Sequence, residues 1–233
     1  MEECDDRALH RAVGLSDLAT LSAAAFEFPG AELVAALGDG SFLDDWRASM
    51  TDARGVLSAD DEAFAAACDR AFRGDDACEA NMRREYSRLF LAPGIDVPVW
   101  PYESCFRHRE SGVQGVPSLF RSPTALAVEQ CMHEAGVAAV DEHREPGDSI
   151  FRELQFLAYL HAREGEAIRI GDEAEREVWR EHIVSFASDH ALVWMPAFME
   201  QTAENSLIEP YRFLAGVGVR YLDELKRVVQ AGE

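Results

Sequence analysis

Apolar residues recur at three- and four-residue intervals through almost every long segment of the chain, and alternating β-branched runs are missing. That period predicts helices nearly throughout. The first is expected over residues 7 to 27, with Val13, Leu15, Leu18, Leu21, Ala25 and Phe28 among its apolar positions and Pro29-Gly30 ending it. A short helix over 31 to 37 stops at Gly38-Asp39-Gly40. Two more follow over 41 to 53 and 59 to 73, the second opened by Ser58 and first-turn acids. A helix over 76 to 91 ends in Glu85-Tyr86-Ser87-Arg88-Leu89-Phe90. Further helices are expected from 122 or 123 to 134, over 148 to 164, over 172 to 189, and from 206 or 210 to 229. The predicted fold is all-α, a single-domain helical bundle over 1–233.

Two segments depart from this regularity. Between 91 and 123 the composition turns to Pro93, Gly94, Pro98, Pro101, Gly112, Gly115, Pro117 and Pro123. This reads as the longest irregular segment, and long loops in compact domains are often functional. Its aromatics Trp100, Tyr102 and Phe106 either cover the core edge or line a groove. The span from Gly112 to Pro117 reads as a possible hinge for domain exchange, so a monomer and an exchanged dimer are both open. The second departure is Glu145-Pro146-Gly147-Asp148, leading into the helix at 148. Asp148 or Ser149 can cap that helix. Its apolar face holds Ile150, Phe151, Leu154, Leu157, Ala158 and Leu160, and Glu153 and His161 fall inside the same arc. A carboxylate there needs a partner. Glu153 is therefore expected to be buried and paired, as a structural lock or as part of a binding site.

Downstream, Phe186, His190, Trp194 and Phe198 repeat every fourth residue on one face, and Pro196 is expected to kink or restart that helix. His190 reads as a satisfied core histidine or as a functional one.

Charge narrows the classes of partner. The chain has 43 acidic and 22 basic residues, a formal net of −21. Phosphate would be repelled, so nucleic acid and anionic membranes are excluded as expected partners, whereas a basic peptide would be steered inward. No apolar run approaches the ~20 residues of a membrane span. The acidic start, Met1-Glu2-Glu3-Cys4-Asp5-Asp6, lacks the features of a secretory signal, and a cytoplasmic location is expected. The five cysteines, Cys4, Cys68, Cys78, Cys105 and Cys131, are odd in number and lack CxxC spacing, so they read as reduced thiols. Phosphate loops, dinucleotide fingerprints, HExxH and GxSxG are all missing. Cys131 and His133 with His143 match no common zinc spacing. Neither metal nor cofactor is expected.

Taken in order, these segments resemble the TorD/DmsD family of redox-enzyme maturation chaperones. The resemblance rests on the first helix with Phe28-Pro29-Gly30, on Glu85-Tyr86-Ser87-Arg88-Leu89-Phe90, and on the Pro-rich loop closing in Pro101-Tyr102-Glu103-Ser104. It continues through Glu145-Pro146-Gly147-Asp148 with Glu153, Leu154 and Phe156, and ends with the Phe186, His190, Trp194, Phe198 series. The family likeness implies a non-enzymatic cytoplasmic chaperone. Such a protein binds the twin-arginine signal peptide of a molybdopterin oxidoreductase, and sometimes its mature body, holding back export until the cofactor is inserted. It implies a peptide groove at Leu89, Phe90, Pro101 and Tyr102, and a hinge at Pro146 and Asp148. The usual family His after that Asp is here Ser149.

Guanidinium pairs bidentately with carboxylates, so Glu103, Asp148 and Glu153 are the candidate acids, and Tyr86, Phe90, Trp100 and Tyr102 the candidate walls. Tyr102 is expected near Asp148 in space. The alternatives are an assembly chaperone that grips only the enzyme body, as the related nitrate-reductase assembly proteins do, and a small-molecule enzyme using Glu153 and His190.

Overall fold

The computed structural model describes residues 2–91, 97–112, 115, 122–137 and 146–232. Pro93, Gly94, Pro117, His143 and Glu145 lie outside the described residues, as do positions 92–96, 113–114 and 116–121 of the expected hinge segment.

Among the described residues the structure is all-α, with eleven α-helices: α1 Glu2–Phe26, α2 Ala31–Asp39, α3 Ser41–Arg54, α4 Ala59–Phe72, α5 Glu79–Phe90, α6 Glu103–Glu110, α7 Pro123–Glu134, α8 Ile150–Ile170, α9 Glu173–Phe186, α10 Leu192–Asn205 and α11 Glu209–Gly232. A 3-10 turn, Asp75–Ala77, precedes α5, and a π turn, Ala187–Ala191, joins α9 to α10. Among these residues the only β pairing is one antiparallel bridge, Tyr102 with Ser149.

α1 runs against α8, α3 and α11, α8 also meets α9, and α10 lies on α11. The α1–α3 approach depends on Gly14. A Cβ there would sit 2.5 Å from the Ser49 carbonyl oxygen and 2.6 Å from the Ala53 nitrogen. Ser16 Oγ donates to the Ala158 carbonyl at 3.0 Å, tying α1 to α8. The core is aromatic: Phe90 stacks on Phe198 at 5.7 Å, Phe26 meets Phe198 at 5.3 Å, and Trp194 meets Phe198 at 5.4 Å. Each such ring, fully buried, contributes about 1.5–3 kcal/mol.

The helices differ from the sequence expectation in a few places, each with a local cause. α6 occupies the middle of the segment expected to be irregular, because residues 103 to 110 contain neither Gly nor Pro although both flank them. α2 continues through Gly38 and stops only where Gly40 turns left-handed, at φ 93°. α8 continues past residue 164 through Gly165, which is buried against Ala12 and Leu9 of α1. Pro196 does not end its helix: it lies inside α10, one turn after the π turn. Val13 and Phe28 are exposed rather than core, and Phe28 packs edge-on to Tyr86 with the Arg83 guanidinium 5.4 Å from its ring centroid.

Candidate functional site

The start of α6 and the start of α8 are stitched together. The Ile150 amide donates to the Pro101 carbonyl at 2.8 Å, and the Glu103 amide donates to the Asp148 carbonyl at 2.8 Å. The Asp148 side chain completes the join, its Oδ2 accepting from the Ser104 amide at 2.9 Å. The first amides of a helix have no partner within it, so each strand of this junction satisfies the other helix. Asp148 thus caps α6, 44 positions away in sequence, and not the helix that follows it. Ser149 occupies the cap position of α8, but its side chain makes no capping bond and its Oγ is buried without a partner.

Behind this junction lie three buried carboxyl groups, Glu103, Asp148 and Glu153, each with no exposed surface. Glu103 Oε1 accepts from Arg107 Nη1 at 2.6 Å and Oε2 faces His190 Nδ1 at 2.8 Å. Trp194 Nε1–H donates to Glu153 Oε2 at 3.0 Å. Glu153 Oε1 and Asp148 Oδ1 have no hydrogen-bond partner. Four elements supply the group: α6 gives Glu103 and Arg107, the α8 start gives Asp148 and Glu153, the π turn gives His190, and α10 gives Trp194. A π turn adds a residue to the helical repeat and often marks a functional position.

The protonation pattern follows from burial. Glu153 is held well above the usual carboxylate range, first by burial and next by the Glu103 charge, so it is the neutral member. Asp148 is also raised, mainly by burial, against the opposing pull of the Ser104 amide. Burial opposes the charged form of His190, but its contacts with Cys131 and Glu103 prevail and lift it to about 9. At neutral pH the ring is an imidazolium paired with the Glu103 carboxylate.

The structure brings Pro101, Tyr102, Glu103, Asp148, Glu153, His190 and Trp194 into one place. Tyr102 is beside the α8 start, as its bridge to Ser149 requires. Glu153 is buried with a polar partner, as its position in the apolar arc implied, and that partner is an indole N–H. Trp100 and Tyr102 keep partial exposure, while Pro101 and Pro146 are buried. Tyr86, Leu89 and Phe90 are buried in the adjoining aromatic core, where Tyr86 donates its hydroxyl to the Phe26 carbonyl at 3.2 Å. Sequence reasoning misses two participants. Arg107 has a signal, since Glu103 and Arg107 stand at i and i+4 on a helix. Cys131 has none: its Sγ lies 3.9 Å from His190 Nε2, across 59 positions of sequence. No His, Cys, Asp and Glu grouping fit to hold a metal occurs among the described residues. Among them no single helix is long and apolar enough to cross a membrane.

A family model described as nitrate reductase delta subunit matches residues 55–200, which contain every residue of this cluster. A chaperone protein TorD from Photobacterium profundum is 28% identical over 139 residues, covering 60% of this chain. The match spans 59% of that relative's own length.

Proposed function

The chain belongs to the family of the nitrate reductase delta subunit and of TorD/DmsD, and on that footing we propose that it is a cytoplasmic chaperone, not an enzyme, for the maturation of a molybdopterin oxidoreductase. As one helical domain it holds the twin-arginine signal peptide of that enzyme's precursor at the α6–α8 junction.

The observation that carries this reading is the excess of acid there. Three carboxyl groups share one guanidinium and one imidazole. Glu153 is held neutral by its burial and by the Glu103 charge. A peptide guanidinium would supply the missing charge, with bidentate geometry that an ammonium cannot match. Arg107 lies on the approach: its side chain is 43% exposed, while the Glu103 carboxylate it holds is wholly buried. Swinging Arg107 outward opens a path to Glu103 beside the half-exposed rings of Trp100 and Tyr102. Those rings offer a stacking surface to the arginine and to the apolar stretch after it. The net charge of −21 speeds the encounter.

Titration of a labelled signal peptide tests the reading. Binding should weaken when the arginine pair becomes lysine, and between low salt and ~1 M salt as steering is screened. Binding of the mature enzyme body with its leader deleted, together with indifference to the arginine pair, would favour the body-gripping alternative, for which the burial of Asp148 and Glu153 speaks.

A further inference from the structure

Cys131 ends a chain of contacts that the peptide-binding reading does not use. Its Sγ is 3.9 Å from His190 Nε2, and His190 Nδ1 is 2.8 Å from Glu103 Oε2. The Phe186 ring stacks on the imidazole at 5.2 Å and 28°, fixing its plane. One ring nitrogen is thus committed to a buried carboxylate and the other is aimed at sulfur. A nucleophile within reach of a ring that a third group orients is the arrangement that activates thiols.

Asp189 precedes His190 in the same π turn, Arg107 joins the cluster through Glu103, and Asp148 and Glu153 lie on the α8 side of that carboxyl group. Of these, Asp148 and Glu153 lean towards their neutral forms. The lift of His190 to about 9 leaves a cationic N–H facing the sulfur at neutral pH. Cys131 itself is half-buried on α7. Cys68, Cys105 and Cys78 lack this combination. Burial pushes the thiols of Cys68 and Cys105 up to about 12 and about 11. Cys78 is exposed, with no imidazole beside it among the described residues.

We infer that Cys131 is a redox-modification site, a thiolate activated by His190 and Glu103 that reacts selectively with hydroperoxides. The sulfur attacks the terminal oxygen of ROOH and the O–O bond breaks. Sulfur is oxidised by two electrons to the sulfenic acid, and the peroxide is reduced to ROH. The departing alkoxide takes its proton from His190 Nε2.

Site-resolved alkylation of the wild-type chain by iodoacetamide at pH 6.5 tests this. Cys131 should react about tenfold faster than the more exposed Cys78, since a free thiol is only ~1% ionised there. The ratio should fall towards pH 9, as Cys78 ionises and His190 gives up its proton. After limited hydrogen peroxide, dimedone should label Cys131 ahead of Cys78. His190→Gln should bring the Cys131 rate down to that of Cys78 or below. A Cys78 rate equal to or above that of Cys131 at pH 6.5, or dimedone label spread evenly over the two, would overturn the inference. The wild-type ratio decides this without the variant.

Discussion

Two buried charge clusters in this molecule are built to opposite rules. Between α3, α4 and α11, guanidinium outnumbers carboxylate. Arg54 bonds to Asp61 at 2.6 Å and to Glu224, Arg227 bonds to Glu224, and Arg220 lies 3.5 Å from Asp61. Burial works against ionised Asp61, yet Ser58, Arg54 and Arg220 together hold it below its ordinary range. At the α6–α8 junction carboxyl groups outnumber cations, and the same burial leaves Glu153 and Asp148 raised. A chain this acidic has few cations to place. Where it places three together the result is a fixed ionic clamp. Where it withholds them the result is a site that holds protons, the one proposed to take a cation from outside.

The sharpest way to break this comparison is to remove one group from each side. Arg54→Ala leaves two carboxylates, each about 95% buried, short of their main partner. It should lower unfolding free energy by roughly 3–5 kcal/mol in urea melts. Glu153→Gln replaces a neutral acid by a neutral amide that still accepts from Trp194, and should change stability by less than ~1 kcal/mol. Equal losses would mean that Glu153 is ionised and the contrast false.

Titration comes next. His190 has a folded pKa of about 9 against an ordinary 6.5, so the native state binds the proton more tightly. Its stabilisation is complete below pH ~6.5 and is lost as pH rises through about 9. The linkage gives a loss of up to about 3 kcal/mol across that window. Raised Asp148 and Glu153 act in the same direction, at pH values upward from the ordinary carboxylate range. Lowered Asp61 acts oppositely, its contribution lost as pH falls below that range. Urea midpoints at pH 6.5 and 9.5 should therefore differ. A His190→Gln variant should flatten that difference if the ring is its source.

A smaller effect is expected from Trp194→Phe, which takes away the one donor to Glu153 and should remove about 1–3 kcal/mol. The smallest stability changes belong to the proposed binding residues. Asp148→Asn keeps an acceptor for the Ser104 amide, and Tyr102→Ala trims a half-exposed ring. Each should reduce signal-peptide affinity about tenfold with little change in melting temperature. Arg107→Ala should do the reverse, raising peptide affinity while lowering stability. A fall in melting temperature with peptide binding spared would assign Asp148 and Tyr102 to structure alone.

The helices are legible because each long one carries its own period, and the departures fall where one residue outweighs its neighbours. Gly165 looks like an end because glycine disfavours helix, but it is buried against Ala12 and Leu9 of α1, and that packing carries the helix through it. Pro196 looks like a break, yet it removes a hydrogen bond in the first turns of α10, next to a π turn whose bonding is already irregular. α6 is hidden because eight residues carry too little periodicity to stand out among prolines. The acid cluster is partly legible: Glu153 on an apolar arc has to be buried and partnered. Its partner Trp194 cannot be read, since 41 positions separate the two and only the fold brings them together. Sequence spacing sets Cys131 beside His133, two residues on in the same helix. That histidine is exposed, and the imidazole the thiol meets comes from the π turn.

The mutual capping of α6 and α8 also bears on the order in which the chain folds. Each helix needs backbone groups of the other to complete its first turn, so neither start is finished until about 45 residues have closed into a loop. Closure of that size costs about 3 kcal/mol of chain entropy before the first bond forms. The contacts of α1 with α8 close a longer loop, with 142 positions between Ser16 and Ala158, so on closure entropy alone the α6 start joins α8 at the lower cost. Lengthening the connection between α6 and α7 should slow that step while taking only ~0.6 kcal/mol from equilibrium stability per doubling of the loop.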